Sequence, residues 1–286
     1  MTADSQTEIR SGDRFAFGRN WRSFIELVDD ERAGAATQSL VRALGTADLT
    51  GRTFLDVGCG SGLFSLAACR LGARVRSLDY DSEAVAATLE LRRRFAPDAD
   101  WTVEQGSILD ERLADRLGAF DIVYAWGVLH HTGDLWRAME LVARLVAPKG
   151  LLYLSVYNDQ GFQSRMWRRV KRTYNKSGPV RRRLLIAGSA GYLGWRHPVA
   201  RLAGLIRGGG PRSRPSRGRG MSRRHDLVDW VGGYPFEVAK PEQVFAFLRA
   251  RGYELCHLKT CGGGIGCNEF VFTRREHPAP FAAVES

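Results

Sequence analysis

Phe54-Leu55-Asp56-Val57-Gly58-Cys59-Gly60-Ser61-Gly62-Leu63-Phe64-Ser65-Leu66-Ala67-Ala68 decides the fold of this 286-residue chain. An apolar run stops at an acidic residue and a glycine-rich turn, then resumes, which predicts strand, loop and helix. Glycines at such a junction let the backbone turn sharply and approach a ligand closely, while the free N–H groups of the new helix supply donors. The dinucleotide fingerprint G-x-G-x-x-G would need a glycine where Leu63 stands, and here the third glycine comes one residue early. Asp56 sits just before the turn, where its charge would repel a pyrophosphate but suits a cofactor carrying an ammonium group and a sulfonium.

Downstream, Arg74-Val75-Arg76-Ser77-Leu78-Asp79 alternates as a strand ending at Asp79. That places a carboxylate roughly 20 positions after the glycine loop, where it can accept hydrogen bonds from two ribose hydroxyls. Tyr80 follows and is a candidate to lie against an adenine. A helix from Ser82 to Phe95, a strand Trp101 to Gln105 and the loop Gly106-Ser107-Ile108-Leu109 come next. Phe120 to Trp126 reads as a buried strand, followed by Gly127-Val128-Leu129-His130-His131-Thr132, a helix from Leu135 to Val146, and a fifth strand from Leu151 to Tyr157. Such alternation implies a doubly wound parallel sheet that binds ligands beyond the carboxyl ends of its strands, so Trp126, His130 and His131 should face the pocket.

With glycine loop, ribose acid, histidine-bearing fourth strand and a terminal strand pair in this order, the chain resembles the class I S-adenosylmethionine-dependent methyltransferases, from about residue 35 to 157 and again from 240 to 274. The stretches Phe54 to Gly62 and Gly127 to Thr132 look most like the branch containing the ubiquinone-pathway O-methyltransferases. The resemblance implies an α/β fold, a doubly wound, Rossmann-like and mostly parallel seven-stranded sheet, with S-adenosylmethionine held by Trp21, Asp56, Gly58, Cys59, Gly60, Gly62, Asp79, Tyr80, Ser107, Ile108 and Trp126. It also implies methyl transfer to a small-molecule acceptor. His130 and His131 are the candidate bases, since imidazole titrates near neutrality. One of them is equally readable as a structural histidine bonded to backbone. No metal is expected, because His130, His131 and Asp134 match no ligand signature.

On this reading residues 1–34 form an N-terminal lid segment, 35–157 the cofactor-binding core, 158–239 a basic helical and flexible insertion capping the acceptor side, 240–274 the helix and strand pair that complete the core, and 275–286 a tail. Residues 1–13 are polar and expected to be disordered. Phe15, Phe17, Trp21, Phe24 and Leu27 then recur at helical spacing, either as a helix packed on the sheet edge or as a lid in which Asn20 and Trp21 close the pocket. Tyr157, Asn158, Trp230, Tyr234 and Glu237 are candidate acceptor residues, with Asn268 beside them, because they flank the terminal elements at the open end of the sheet.

The net charge of +11 belongs to one segment: residues 160–225 hold 18 Lys and Arg and no Asp or Glu, leaving the rest of the chain acidic. Three anionic partners fit it: a phosphate or carboxylate on the acceptor, an acidic membrane presenting a lipid-linked acceptor, or nucleic acid. The first two are preferred, and a solvated loop without partners is the plain alternative. Residues 207–224, rich in Arg, Gly, Pro and Ser, are expected to be flexible. The five cysteines show no C-x-x-C pair, which suits a reducing cytoplasm, and no apolar run approaches the roughly 20 residues of a membrane span. A protein that binds the cofactor without transferring methyl groups would share these features.

Overall fold

Strand β1 (Thr53–Val57) is buried on both faces after its first residue, which is the pattern of a central parallel strand. The structure, a computed structural model, describes residues 5–206, 223–262 and 264–276, and for 193–206 and 223–226 the backbone alone. The elements run α1 (Ser5–Ser11), α2 (Phe17–Ile25), α3 (Asp30–Leu44), β1, α4 (Leu63–Arg70), β2 (Arg74–Asp79), α5 (Ser82–Phe95), β3 (Trp101–Gln105), α6 (Glu111–Leu117), β4 (Phe120–Trp126), a 3-10 turn (Leu129–His131), α7 (Leu135–Arg144), β5 (Val146–Tyr157), α8 (Phe162–Asn175), α9 (Pro179–Ile206), α10 (Arg223–Gly232), α11 (Pro241–Arg249), β6 (Tyr253–Lys259) and β7 (Cys267–Arg274).

The seven strands form one sheet in the order β3-β2-β1-β4-β5-β7-β6. The first five are parallel, and β7 runs antiparallel to both β5 and β6. Alternation along each strand divides the core into two layers. Phe54 of β1, with Trp101 and Tyr124, packs against Leu40, Leu66 and Leu91 of α3, α4 and α5. Leu55 and Val57, with Val123, Leu152 and Phe270, pack against Leu113, Met139, Val142 and Leu248 of α6, α7 and α11. The strand order reverses between β1 and β4, so a crevice opens at the carboxyl ends of these two strands, the position where open α/β sheets bind ligands.

The sequence expectations differ from the structure in three places. Residues 1–13 include a helix, α1, because tertiary contacts hold it: Tyr80 OH donates to Glu8 at 3.4 Å and Gln6 Nε2 donates to Ser82 Oγ at 3.3 Å, while nearby Arg14 pairs with Glu8 at 2.5 Å. Strand β5 begins at Val146, where helix α7 was expected to end, since Phe120 N–H donates to Leu145 O at 2.8 Å and draws the chain into the sheet early. Helix α11, for which the sequence places an opening at Pro241 and an end at Gly252, stops at Arg249. The Arg- and Gly-rich run lies outside the described residues from 207 to 222.

The stretch read as a lid and the basic insertion pack together: Phe15 of the segment before α2, Tyr174 of α8 and Val231 of α10 form a third apolar cluster. Phe15 N–H also donates to Tyr234 O at 2.8 Å. Among the described residues no helix is long and apolar enough to cross a membrane.

Trp101 is fully buried and its Nε1 donates to Ser77 Oγ at 2.7 Å. Trp101→Ala is expected to cost about 3–5 kcal/mol of unfolding free energy in denaturant titration, through the cavity left under β2 and β3.

Candidate active site

The crevice is a cavity of about 880 Å³, toward the upper end of the roughly 300–1,000 Å³ of ligand pockets. Its floor is the glycine loop, where Gly58, Gly60 and Gly62 adopt φ of 70°, 57° and 76°, a left-handed conformation that side chains disfavour. Space forbids replacement as well: a Cβ on Gly58 would sit 2.2 Å from Val128, and one on Gly62 2.7 Å from Thr88. Gly62 itself does not line the cavity; it seats α4 against α5.

Asp56 is held from beneath by a buried hydroxyl chain. Ser65 Oγ donates to its carboxylate at 2.5 Å and lies 2.7 Å from Ser77 Oγ, which in turn receives the Trp101 indole. Burial pushes the Asp56 carboxyl up to about 7, with the Ser65 hydrogen bond opposing and nearby Asp79 adding. Asp79 accepts the N–H groups of Gly60 and Asp81, each at 2.9 Å, and burial raises it to about 6 against those bonds. These two raised carboxyls of the lining would ionise fully once a cation arrived beside them.

The N-terminal segment closes over this floor. Trp21 covers Gly60, where an added Cβ would meet its Nε1 at 2.9 Å. Gly18 N–H donates to Asp81 Oδ2 at 2.9 Å, and Arg14 donates to His131 O at 2.9 Å while its guanidinium lies 4.8 Å from the Tyr80 ring centroid. Asn20 reaches across to Asp229 of α10 at 2.8 Å.

The far wall comes from β4, β5 and α10. His130 lies against Tyr157 with centroids 4.0 Å apart and rings tilted by 43°, Tyr157 meets Trp230 edge-on at 5.1 Å, and Phe17 lies 4.8 Å from His131. His131 Nδ1 is 2.6 Å from the Pro235 carbonyl, an obligate acceptor, so Nδ1 carries the proton and Nε2 is left with its lone pair. Neither histidine titrates near neutrality as the sequence suggested. Burial pushes His131 down to about 3 and His130 well below the usual imidazole value, and the Lys171 ammonium adds to both. Both rings are therefore neutral at physiological pH.

The cavity gathers Trp21, Asp56, Gly58, Cys59, Gly60, Asp79, Tyr80, Ser107, Ile108, Trp126, His130, His131, Tyr157 and Trp230. Asn158, Tyr234 and Glu237 do not line it. Asn158 receives the Asn268 amide at 3.1 Å beside its bridge to Ala239, Tyr234 offers its carbonyl to Phe15, and Glu237 caps α7 by accepting the N–H groups of Gly133 and Leu135 at 3.1 and 3.2 Å. The sequence reading missed Glu8, Arg14, Asp229 and Glu269, all on the lining. Arg14 and Glu8 border or lie within a stretch too polar to signal order, and Glu269 shows only as one polar position in a strand. Arg14 is the only Lys or Arg among the described lining residues, against Glu8, Asp56, Asp79, Asp81, Asp229 and Glu269.

A family model described as a methyltransferase domain matches residues 29–201. The chain belongs to that family. Two curated relatives, each named ubiquinone biosynthesis O-methyltransferase, are similar over part of their length. One from Xanthomonas oryzae pv. oryzae (strain PXO99A) is 35% identical over 111 residues, covering 39% of this chain and 45% of the relative. One from Pseudomonas paraeruginosa is 34% identical over 113 residues, covering 39% and 47%. The chain thus spans about half the length of the curated relatives it matches. The structure of PKMT2 from Rickettsia typhi superposes with a TM-score of 0.52 at 14% identity over 79% of this chain and 49% of that one, a likeness of fold.

The methyltransferase cofactor is S-adenosylmethionine, and the cavity's residues suit it. Asp56 would face its cationic part, Asp79 its ribose hydroxyls, and Tyr80 and Ile108 its adenine. Affinity for S-adenosylmethionine is expected to rise with pH up to about 7, because below the raised values Asp56 and Asp79 are protonated and bring no charge to the cation. Asp79→Ala is expected to remove about 1.5–3 kcal/mol of binding, and Asp56→Asn to flatten the pH dependence, both measured by calorimetry.

Proposed function

We propose that the chain transfers a methyl group from S-adenosylmethionine to a hydroxyl of a small-molecule acceptor, a biosynthetic intermediate with a lipid-linked or anionic portion. The observation that carries this reading is His131 on the cavity wall, with its Nδ1–H held by the Pro235 carbonyl and its Nε2 left to accept a proton. The names of the O-methyltransferase relatives support oxygen as the acceptor atom.

Bound here, the cofactor supplies a methyl group already made electrophilic by its sulfonium. The chain's task is then alignment, exclusion of water and removal of one proton. Phe17, Trp21, Tyr157 and Trp230 supply the dry walls, and alignment alone is worth about 7–11 kcal/mol of barrier in favourable cases. His131 suits the proton: its Nδ1–H is engaged by Pro235, which holds the ring and leaves Nε2 to accept from a hydroxyl. A ring this weakly basic takes the proton as the oxygen loses electron density to the new bond, rather than beforehand.

Lipid linkage is favoured over an anionic acceptor by the arginines of α8 and α9. Arg165, Arg169, Arg181 and Arg183 are exposed and none lines the cavity, while Phe162, Val180 and Leu184 stand exposed among them. That mixture suits peripheral contact with an acidic membrane from a reducing cytoplasm, and fits nucleic acid less well. Vesicles containing anionic lipid are expected to sediment the protein, and neutral vesicles to leave it in solution.

His131→Ala is expected to lower acceptor turnover by about 10²–10⁴-fold, measured as release of S-adenosylhomocysteine, with cofactor affinity unchanged. An equal loss of both would make the histidine structural and overturn its assignment as base.

A further inference from the structure

Helix α8 turns Arg168, Lys171 and Asn175 toward the segment that follows the start of α10. Arg168 Nε donates to Phe236 O at 3.2 Å, Asn175 Nδ2 donates to Gly232 O at 2.6 Å, and Lys171 Nζ donates to Trp230 O. The carbonyls of Trp230 and Gly232 belong to the last turn of α10, where the helix has no partners of its own for them and its dipole favours a cation. Lys171 differs from its two neighbours in being wholly buried. Its ammonium sits 4.5 Å from the Trp230 ring centroid, 4.7 Å from Phe236 and 5.5 Å from Tyr157, and makes no ion pair among the described residues. Rings on three sides and one carbonyl are an expensive place for a charge, and burial pushes this amine down to about 7. The groups that face it are Asp229 on α10, Cys267 on β7, Tyr157 on β5 and the His130–His131 pair.

A packing role alone would be met as well by methionine or leucine, which fill such a space without the desolvation cost. What the amine adds is direction: it fixes one carbonyl and the faces of the two rings, Tyr157 and Trp230, whose other sides line the cavity. We propose that Lys171 is a positioning residue for the acceptor, setting the pose of Tyr157 and Trp230 from behind the wall without touching acceptor or cofactor. The assignment rests on the methyl-transfer reading for its consequence, and on the contacts above for its geometry.

Two measurements on Lys171→Met and the wild type separate the two. Hydrogen exchange needs no turnover: exchange over residues 227–236 is expected to rise about tenfold in the variant, the loss expected for one charge-assisted hydrogen bond, while the glycine loop at 57–63 stays unchanged. Unchanged exchange at 227–236 overturns the proposal whatever the activity. Steady-state kinetics then read the consequence: acceptor KM is expected to rise about tenfold or more, with kcat within about threefold and cofactor affinity unchanged. A fall in kcat at constant KM, or a loss of cofactor affinity, also overturns it. Lys171→Ala with added propylammonium is expected to recover acceptor KM, and propanol is not; rescue by neither is a third contrary result. Failure of the wild type to transfer methyl to any acceptor would overturn the methyl-transfer reading, while hydrogen exchange still decides the role of Lys171. Folding is checked by denaturant titration: the wild type is expected to gain stability relative to Lys171→Met as pH rises from about 7 toward the ordinary lysine value, because over that range the unfolded chain holds the proton that the folded one has released.

Discussion

A carboxyl group buried at the end of the central strand is the constraint on which the rest of the structure depends. Asp56 cannot be solvated where β1 delivers it, so the neighbouring elements satisfy it through Ser65, Ser77 and the Trp101 indole. This chain of bonds ties α4, β2 and β3 to one atom group and fixes the turn between β1 and α4. The left-handed glycines follow from the same closeness, since Val128 and Thr88 leave no room for side chains at Gly58 and Gly62. A raised carboxyl at this point is costly to the empty protein and useful to one that binds a cation.

Above that floor, part of the cavity wall comes from elements outside the sheet. The segment before α2 and the helices α8 and α10 share one apolar cluster at Phe15, Tyr174 and Val231, so they pack as a single cover over the cavity. The cover presents aromatic faces inward and arginines outward. Its charge is therefore separated from its pocket: none of the described arginines of α8 and α9 lines the cavity, and the lining is acidic. The basic balance of the chain says little about the cavity's own chemistry.

Where local pattern determines structure, the sequence was readable. The strand, glycine turn and helix from Phe54 to Ala68, the acid ending β2 and the bounds of α5 follow from periodicity, turn chemistry and capping by Asp81. Distant contacts were not readable. Helix α1 is short and polar, and holds because Glu8 accepts from Tyr80 as well as pairing with nearby Arg14, and Gln6 reaches Ser82. Glu237 and Asn158 looked like pocket residues by position, yet their side chains are taken by backbone and amide groups that only the fold brings near. The histidines were found by their place after β4, but their depressed basicity comes from burial and from Lys171, one cation among many in a basic run.

The central claim is that this cavity methylates a small molecule, and methyl-labelled S-adenosylmethionine incubated with the protein and source-cell extract tests it most directly. After separation into lipid-soluble, small polar and macromolecular fractions, the account predicts label in the lipid-soluble fraction, lost in the His131→Ala protein. Label confined to nucleic acid or protein, or no transfer by a protein that binds the cofactor, would contradict it.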